Sequence, residues 1–410
     1  MDALKVRNAG DVEEVVRSAI ASEQPLDIIG HGSKRRIGQL TATNAVLDLS
    51  ALNAVVSYEP NELIVTAQAG APLGDLLSLI DSKSQQFAFE PLDTGPLLGT
   101  SGRGTVGGMI AAGLAGPRRI RAGGVRDHLL GAHAVSGFGE SFKTGGKVVK
   151  NVTGYDLCKL LAGSWGTLAV MTEATLKVMP RPEAERTLVL RGLDDIRANR
   201  AMTAALGSPF DVSGAAHLPA SSLRPEVDGL GSPREAVTVI RLEGITASAA
   251  HRAASLAKQL STFGTVDIIE DDASAKVWSA VRDIMPFAAN GPLGAWPVWR
   301  IVCPPVSGGA IGQALTRQTG GEVIYDWGGG LIWAALPPQP DASASVVRKQ
   351  VDAVGGHATL LRAWDEMRHV VDVFHPQAPG VAALEERVRV SFDPRAIFNR
   401  GRMRRSVASS

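Results

Sequence analysis

Residues Gly95–Gly124 read GPLLGTSGRGTVGGMIAAGLAGPRRIRAGG. Ten of these thirty residues are glycine, five arginines fall between Arg103 and Arg126, and no acidic side chain stands between Asp93 and Asp127. Glycine has no Cβ, so it lets main-chain N–H groups approach a ligand closely, at an entropic cost that must be recovered elsewhere. Backbone amides, helix N-termini and arginines without neighbouring carboxylates suit a polyanion, of which pyrophosphate is the commonest small one. A glycine-rich loop or a close-packed helix pair would need the same residues for packing alone.

Upstream, the apolar run Leu26–Ile29 leads into Gly30-His31-Gly32-Ser33-Lys34, followed by Arg35-Arg36-Ile37-Gly38 and strand-like Ala45–Leu49. A dinucleotide-binding Rossmann turn opens a helix at its glycines. Here the order is strand, turn, strand, which argues against a nicotinamide Rossmann domain and for another kind of phosphate cradle.

Composition sets the outer limits. A chain of 410 residues suggests two or three domains, and 45% hydrophobic with 20% charged residues is an ordinary globular balance. The net charge of +1 gives no electrostatic case for nucleic acid or an anionic membrane. Cys158 and Cys303 are far apart with no CxxC pair, so a reduced, cytoplasmic chain without its own zinc or iron–sulfur site is expected. The N-terminus lacks an apolar signal region, and the longest uncharged run, Gly104–Pro117, is too short and glycine-rich to cross a bilayer. Direct membrane insertion is therefore not expected.

Along the chain, Asp11 is placed to cap a helix reaching Ser22, with Val12, Val15, Val16 and Ile20 on one face. Val55–Tyr58 and Leu63–Ala69 read as a hairpin about Glu59-Pro60-Asn61-Glu62, and Pro72–Ile80 as a helix. Leu129–Ser136 and Ser141–Lys150 follow as strands, and Leu168–Met179 as another. Asn151–Asp156 is a polar turn that Asp156 can cap into a helix carrying Leu157, Leu160 and Leu161. Pro180-Arg181-Pro182 marks a boundary. From Thr187 a repeated strand–helix–strand order predicts an α+β layer, with Trp278–Ile284 as one of its helices. Pro379–Ser391 reads as a helix, and Asp393-Pro394 caps a last turn.

Five motifs in order carry a resemblance. Gly30–Lys34, Gly104-Thr105-Val106-Gly107-Gly108 with Gly116, Arg126-Asp127, Lys150–Asp156 and Gly163-Ser164-Trp165-Gly166-Thr167-Leu168 together resemble the FAD-linked oxidase family with its vanillyl-alcohol-oxidase or PCMH-type flavin domain. Phe392-Asp393-Pro394 with Ile397-Phe398-Asn399 resembles the family's C-terminal return segment. Trp299-Arg300, Asp326–Gly329, Trp333, Gly356–Arg362 and His375–Ala378 narrow the likeness to the flavin subunits of bacterial glycolate oxidases. The resemblance implies an α+β fold: a two-part FAD domain over residues 1–182, a smaller ferredoxin-like α+β cap over 187–370, and a segment, 371–410, returning to the FAD domain. It implies oxidation of glycolate, a 2-hydroxy acid, to glyoxylate. The implied partners are a larger flavoprotein subunit and an iron–sulfur subunit, with peripheral association at the inner membrane face through them. A free-standing oxidase of another hydroxy acid or alcohol, and a non-catalytic flavin-holding subunit, are the alternatives.

Position by position, the resemblance implies that Ile29, Gly30, His31, Gly32, Ser33 and Lys34 wrap the FAD diphosphate, with Gly104, Thr105, Val106, Gly107 and Gly108 as a second turn. Ala111, Ala112 and Gly116 fall where the family passes the flavin ring. Gly163, Gly166, Thr167 and Val170 fall beside the ribityl and adenosine portions, and Asn399 near the ring. Trp165 and Gly113 stand where relatives often carry Glu and Asn. Relatives that attach FAD covalently place His directly before the Ser; here Gly32 separates His31 from Ser33, and non-covalent FAD is expected. Larger relatives draw a base and a metal from a His-x-Gly-Asp-Gly-Asn segment that this sequence lacks, so no metal is expected. Dehydrogenation of a hydroxy acid needs a cation for the carboxylate and a base for the hydroxyl proton. Arg282, Arg300 and Arg362 are the candidate cations and His357 the candidate base, although surface arginines and a capped histidine would look the same.

Overall fold

A computed structural model describes the chain apart from residues 1–2, 44, 147–154, 223–229, 231–234 and 405–410. The Lys150–Gly154 phrase and the end of the strand expected over Ser141–Lys150 lie outside the described residues.

The first half builds two small sheets and a separate two-stranded ladder. Strands β1 (Ala3–Lys5), β2 (Leu26–Ile29) and β3 (Ala45–Asp48) form a parallel sheet in the order β1-β3-β2. The helix Ala9–Ser22 packs Val12, Val16 and Ala19 inward. Asn8, not Asp11, is its N-cap: the Asn8 side chain accepts the Asp11 N–H, and Asp11 reaches back to accept the Arg7 N–H. Strands β4 (Val55–Glu59), β5 (Ile64–Gln68), β6 (Gln85–Gln86), β7 (Leu129–Ser136), β8 (Ser141–Gly145) and β9 (Ala169–Lys177) come next. They yield a five-stranded antiparallel sheet, β4-β5-β9-β7-β8, while β6 pairs with β10 (Met179–Pro180). The glycine-rich stretch is partly helical: Val106–Ala112 is a short helix capped by Thr105, whose hydroxyl accepts the Gly108 N–H, and closed by Gly113 at φ 65°.

From β11 (Ala184–Arg191) onward the chain forms one eight-stranded antiparallel sheet. Its further strands are β12 (Val212–Leu218), β13 (Val237–Gly244), β14 (Val266–Glu270), β15 (Val298–Val302), β16 (Glu322–Asp326), β17 (Leu331–Ala335) and β18 (His357–Arg362). With the helices Asp195–Leu206 and Thr246–Leu260 between them, β11–β14 follow the ferredoxin-like βαββαβ order and pair as β14-β11-β13-β12. β15–β18 repeat it with the helices Gly308–Thr319 and Ala344–Asp352, pairing as β16-β17-β15-β18. The cap is therefore two such units joined edge to edge through β12 and β16. The helix expected over Trp278–Ile284 starts earlier, at Asp271, because Ser274 and Val277 extend its buried face.

One apolar core fills the first half and a second lies between the cap sheet and those four helices. A third lies between the other face of that sheet and the first half, where Ile37, Ala112, Leu114 and Trp165 meet Trp327, Trp333 and Val298. The tryptophans divide accordingly: Trp299 is buried in the second core with its indole N–H on the Ala342 carbonyl, Trp327 and Trp333 are in the third, and Trp364 is exposed. Glu90 and Arg118 of the first half interlock with Glu185, Arg241 and Glu243 of the cap. The chain end returns to β2: Leu26 donates to the Ile397 carbonyl, Asn399 N–H to the Leu26 carbonyl, and the buried Asp393 carboxylate accepts the N–H groups of Ile397 and Phe398.

Candidate functional site

A cleft opens between the two small sheets, at the C-terminal end of β2. Parallel strands leave their terminal amides pointing past the sheet edge, which is where α/β and related folds hold ligands. The cleft has a volume of about 100 Å³. Ile29–Lys34, Thr105, Gly107, Gly108, Ala111, Ala112, Gly166 and Asn399 line it.

The two glycine turns touch. A Cβ on Gly30 would stand 2.4 Å from Thr105 Oγ1, and one on Gly104, at φ 78°, would stand 2.4 Å from Ser33 Oγ. No side chain fits at either position. Among the described residues, the N–H groups of Gly30, His31, Gly32, Ser33 and Lys34 donate to no acceptor in the chain. Five consecutive main-chain donors left unclaimed by the chain at a glycine turn suit an anion. The Lys34 ammonium faces the same space: burial pushes it down to about 8, an effect that Asp93 only partly offsets. Among the described residues, its one side-chain hydrogen bond is to Ser33 Oγ at 3.5 Å.

Other residues implicated from sequence lie elsewhere. Val106 and Val170 are fully buried in the core of the first half; on β9, Ala169 and Met171 line the cleft instead, as strand alternation requires. Gly163 and Thr167 border a neighbouring groove beside the helix Pro379–Phe392. Gly116 packs against Glu90 and Arg282, and its carbonyl accepts the Trp327 indole N–H. Asn399 is at the cleft with its amide occupied: Oδ1 accepts the Ile28 N–H at 2.8 Å and Nδ2 donates to the Trp165 carbonyl at 2.7 Å. Trp165 and Arg402 line the cleft without having been singled out as ligand contacts.

Comparison with known proteins follows this geometry. Residues 3–145 match the family described as an FAD binding domain. The chain is 32% identical over 395 residues to the glycolate oxidase subunit GlcE of Escherichia coli K12, covering 95% of each chain. The chain belongs to the FAD-linked oxidase family. A second relative, the glycolate oxidase subunit GlcD of Bacillus subtilis, is 32% identical over 186 residues, 45% of this chain and 38% of its own. Among solved structures, p-cresol methylhydroxylase with substrate bound superposes with a TM-score of 0.69 over 100% of this chain and 89% of that one, at 13% identity, which concerns the fold alone.

The cofactor of this FAD-linked oxidase is FAD, and the cleft fits it. Free amides and Lys34 supply donors for a diphosphate, and the absence of Cβ at Gly30 and Gly104 keeps the two turns in contact. The four catalytic candidates are not brought together. His357 is exposed at the Val302 end of β18, its ring 5.5 Å from that of His375. Arg362 spends its guanidinium on the carbonyls of Trp296, Leu97, Phe287 and Leu293. Arg282 is bidentate to Asp283 at 2.8 and 2.6 Å. Arg300 differs: it shares a face of β15 with Val298 and Val302, toward the first half, and stacks 5.2 Å from the Trp327 ring. Among the described residues its guanidinium has no acceptor. Burial and the nearby Arg119 push it down to about 10, so it stays charged at neutral pH. Among the described residues, no group of three His, Cys, Asp or Glu side chains is placed to hold a metal, and no helix is long and apolar enough to cross a membrane.

Proposed function

We propose that this chain is the FAD-binding subunit of a glycolate oxidase complex, oxidising glycolate to glyoxylate and passing electrons through its flavin to an iron–sulfur subunit beside a larger flavoprotein subunit. The observation that carries the reading is the match of nearly full length on both sides with a protein named as a glycolate oxidase subunit. Peripheral attachment at the inner membrane face through those partners belongs to the same reading.

FAD, when bound, supplies the ring that accepts the substrate's hydride. The amides of Gly30–Lys34 and the Lys34 ammonium hold the diphosphate, non-covalently. Among the described residues, Arg300 is the one of the three candidate guanidiniums with no acceptor in the chain, suited to a bidentate grip on a 2-hydroxy acid carboxylate. Closure of the cap sheet over the first half excludes water from that layer, which strengthens the ion pair.

The test is an anaerobic absorbance spectrum of the purified chain before and after glycolate, alone and with the two partner subunits. Bleaching of the flavin by glycolate in wild type, lost in Arg300→Met with flavin content unchanged, supports the reading. Bleaching by other hydroxy acids or alcohols and not by glycolate overturns the substrate. The engagement of Arg282 and Arg362 by other groups favours one second reading, a flavin-holding assembly subunit. That version predicts a flavin inert to every substrate yet required for complex formation. Acid precipitation should release all the flavin into the supernatant; colour left in the pellet would contradict non-covalent binding.

A further inference from the structure

Arg402, three residues beyond Asn399, borders the cleft from the returning chain end. It is 6% exposed. One of its guanidinium nitrogens, Nη2, donates to the Lys34 carbonyl at 2.8 Å, while Nε is buried with no partner. The carboxylate nearest to it, Asp27, is already taken by Arg35, whose Nε and Nη2 are 2.9 and 2.5 Å from Oδ2. Asp27 Oδ1 stands 3.7 Å from Arg402 Nη1 and makes no hydrogen bond. The other charged groups facing Arg402 are Arg35 and Arg368, both cationic, and the next turn carries Lys34. The Arg402 guanidinium also lies 5.9 Å from the Trp165 ring.

A buried guanidinium among cations, with an orphaned N–H and its only carboxylate claimed elsewhere, costs stability unless an anion completes it. We infer that Arg402 is a diphosphate-binding residue of the FAD cleft, so that the cofactor fastens the C-terminal segment to the Gly30–Lys34 turn. This rests on the FAD reading of the cleft and extends it to a residue on the last turn of the chain. It also gives the Ile397–Met403 return a function beyond packing: without the segment, one cation of the site is missing.

The test uses the full apo chain, titrated with FAD by flavin fluorescence and with ADP as competitor. Arg402→Gln is expected to raise the Kd of both ligands by the same factor, about 10- to 100-fold, which is the loss of a charge-assisted pair of hydrogen bonds. It should also flatten the salt dependence of binding. Saturating FAD should slow amide exchange over Ile397–Met403 in wild type and less in the variant. Unchanged Kd values with an unchanged melting temperature overturn the inference and leave the FAD reading standing. Weaker FAD with unaltered ADP overturns the diphosphate assignment, since the guanidinium would then meet the flavin end. If wild type binds no FAD, the reading of the cleft itself falls. Should Arg402→Gln not fold, Arg402→Lys takes its place; it keeps the charge but not the fork of donors, and equal weakening of both ligands is again expected.

Discussion

Replacing Arg241 with methionine should separate the two halves of the molecule. In the native protein Arg241 is 1% exposed and binds Glu90 through two parallel hydrogen bonds of 3.0 and 2.9 Å, with Glu243 at 3.5 Å and the Trp278 ring 4.5 Å away. Methionine would leave Arg118, with Arg282 nearby, facing Glu90, Glu185 and Glu243, three carboxylates that are buried or nearly so. Removing one partner from a buried ionic cluster costs about 3–5 kcal/mol, because the remaining charges stay desolvated. The effect depends on pH in a definite direction. Burial alone would raise Glu90 and Glu243, but Arg241 and Arg118 outweigh it and hold both below the ordinary range, Glu243 at about 2. Their stabilisation is thus complete above the unfolded carboxylate range and is lost only as pH falls through those low values. Without Arg241 the same carboxyls shift above their unfolded values, so the folded variant takes up protons. Its deficit should be largest at pH 8 and shrink toward pH 5. Urea denaturation followed by far-UV circular dichroism at both pH values measures this. The cap and the first half should also unfold in separate steps, since the cluster joins them. In a double-mutant cycle, Arg241→Met with Glu90→Gln should lose at least about 1 kcal/mol less than the two single changes added together. A loss below about 1 kcal/mol, or a deficit identical at pH 5 and pH 8, would refute the reasoning.

Three further outcomes are expected. Gly104→Ala puts a Cβ 2.4 Å from Ser33 Oγ at φ 78°, a left-handed conformation costing about 1–2 kcal/mol for a residue with a Cβ; the chain should fold but purify without flavin, and Ser33→Ala in the same chain should restore part of the colour. FAD affinity should fall as pH rises from 7 to 9, by at most about tenfold per unit, because Lys34 loses its proton at about 8 in the free site while a bound diphosphate favours the charged form; equilibrium titration checks this, and Lys34→Met should flatten the profile. Burial pushes the Asp326 carboxyl up to about 7, so the folded state binds the proton more tightly than the unfolded chain and stability falls as pH climbs toward 7. Asp326→Asn keeps an acceptor for the Trp327 N–H and should therefore raise the melting temperature at pH 8, by the equivalent of about 1 kcal/mol or more, and leave it nearly unchanged at pH 4.

Much of the architecture was legible because period and punctuation act locally. The strand expected over Val55–Tyr58 runs Val55–Glu59, and the helix expected over Pro379–Ser391 runs Pro379–Phe392. What could not be read is pairing. The two βαββαβ units become visible only in the strand order, and β18 is a strand where the sequence shows only the Gly356–Arg362 motif. In the glycine-rich stretch, glycine density hid the Val106–Ala112 helix, since each glycine weakens the helical pattern while Thr105 and Gly113 supply its ends.

The site divides along the same line. Main-chain function is tied to glycine, so the turns Gly30–Lys34 and Gly104–Gly108 could be picked out without knowing what they touch, and the structure brings Gly30 against Thr105 and Gly104 against Ser33. Side-chain function depends on which donors remain free, and sequence carries no record of that. Arg282, Arg300 and Arg362 are equivalent as letters, yet Asp283 takes the first, four carbonyls take the third, and Arg300 keeps its donors free. Arg402 does not stand out in the sequence for the same reason, because only the fold shows that Arg35 claims Asp27 and leaves the Arg402 Nε without a partner. On the proposals made above, free buried donors, more than residue identity, set Arg300 and Arg402 apart from the arginines that hold the fold together.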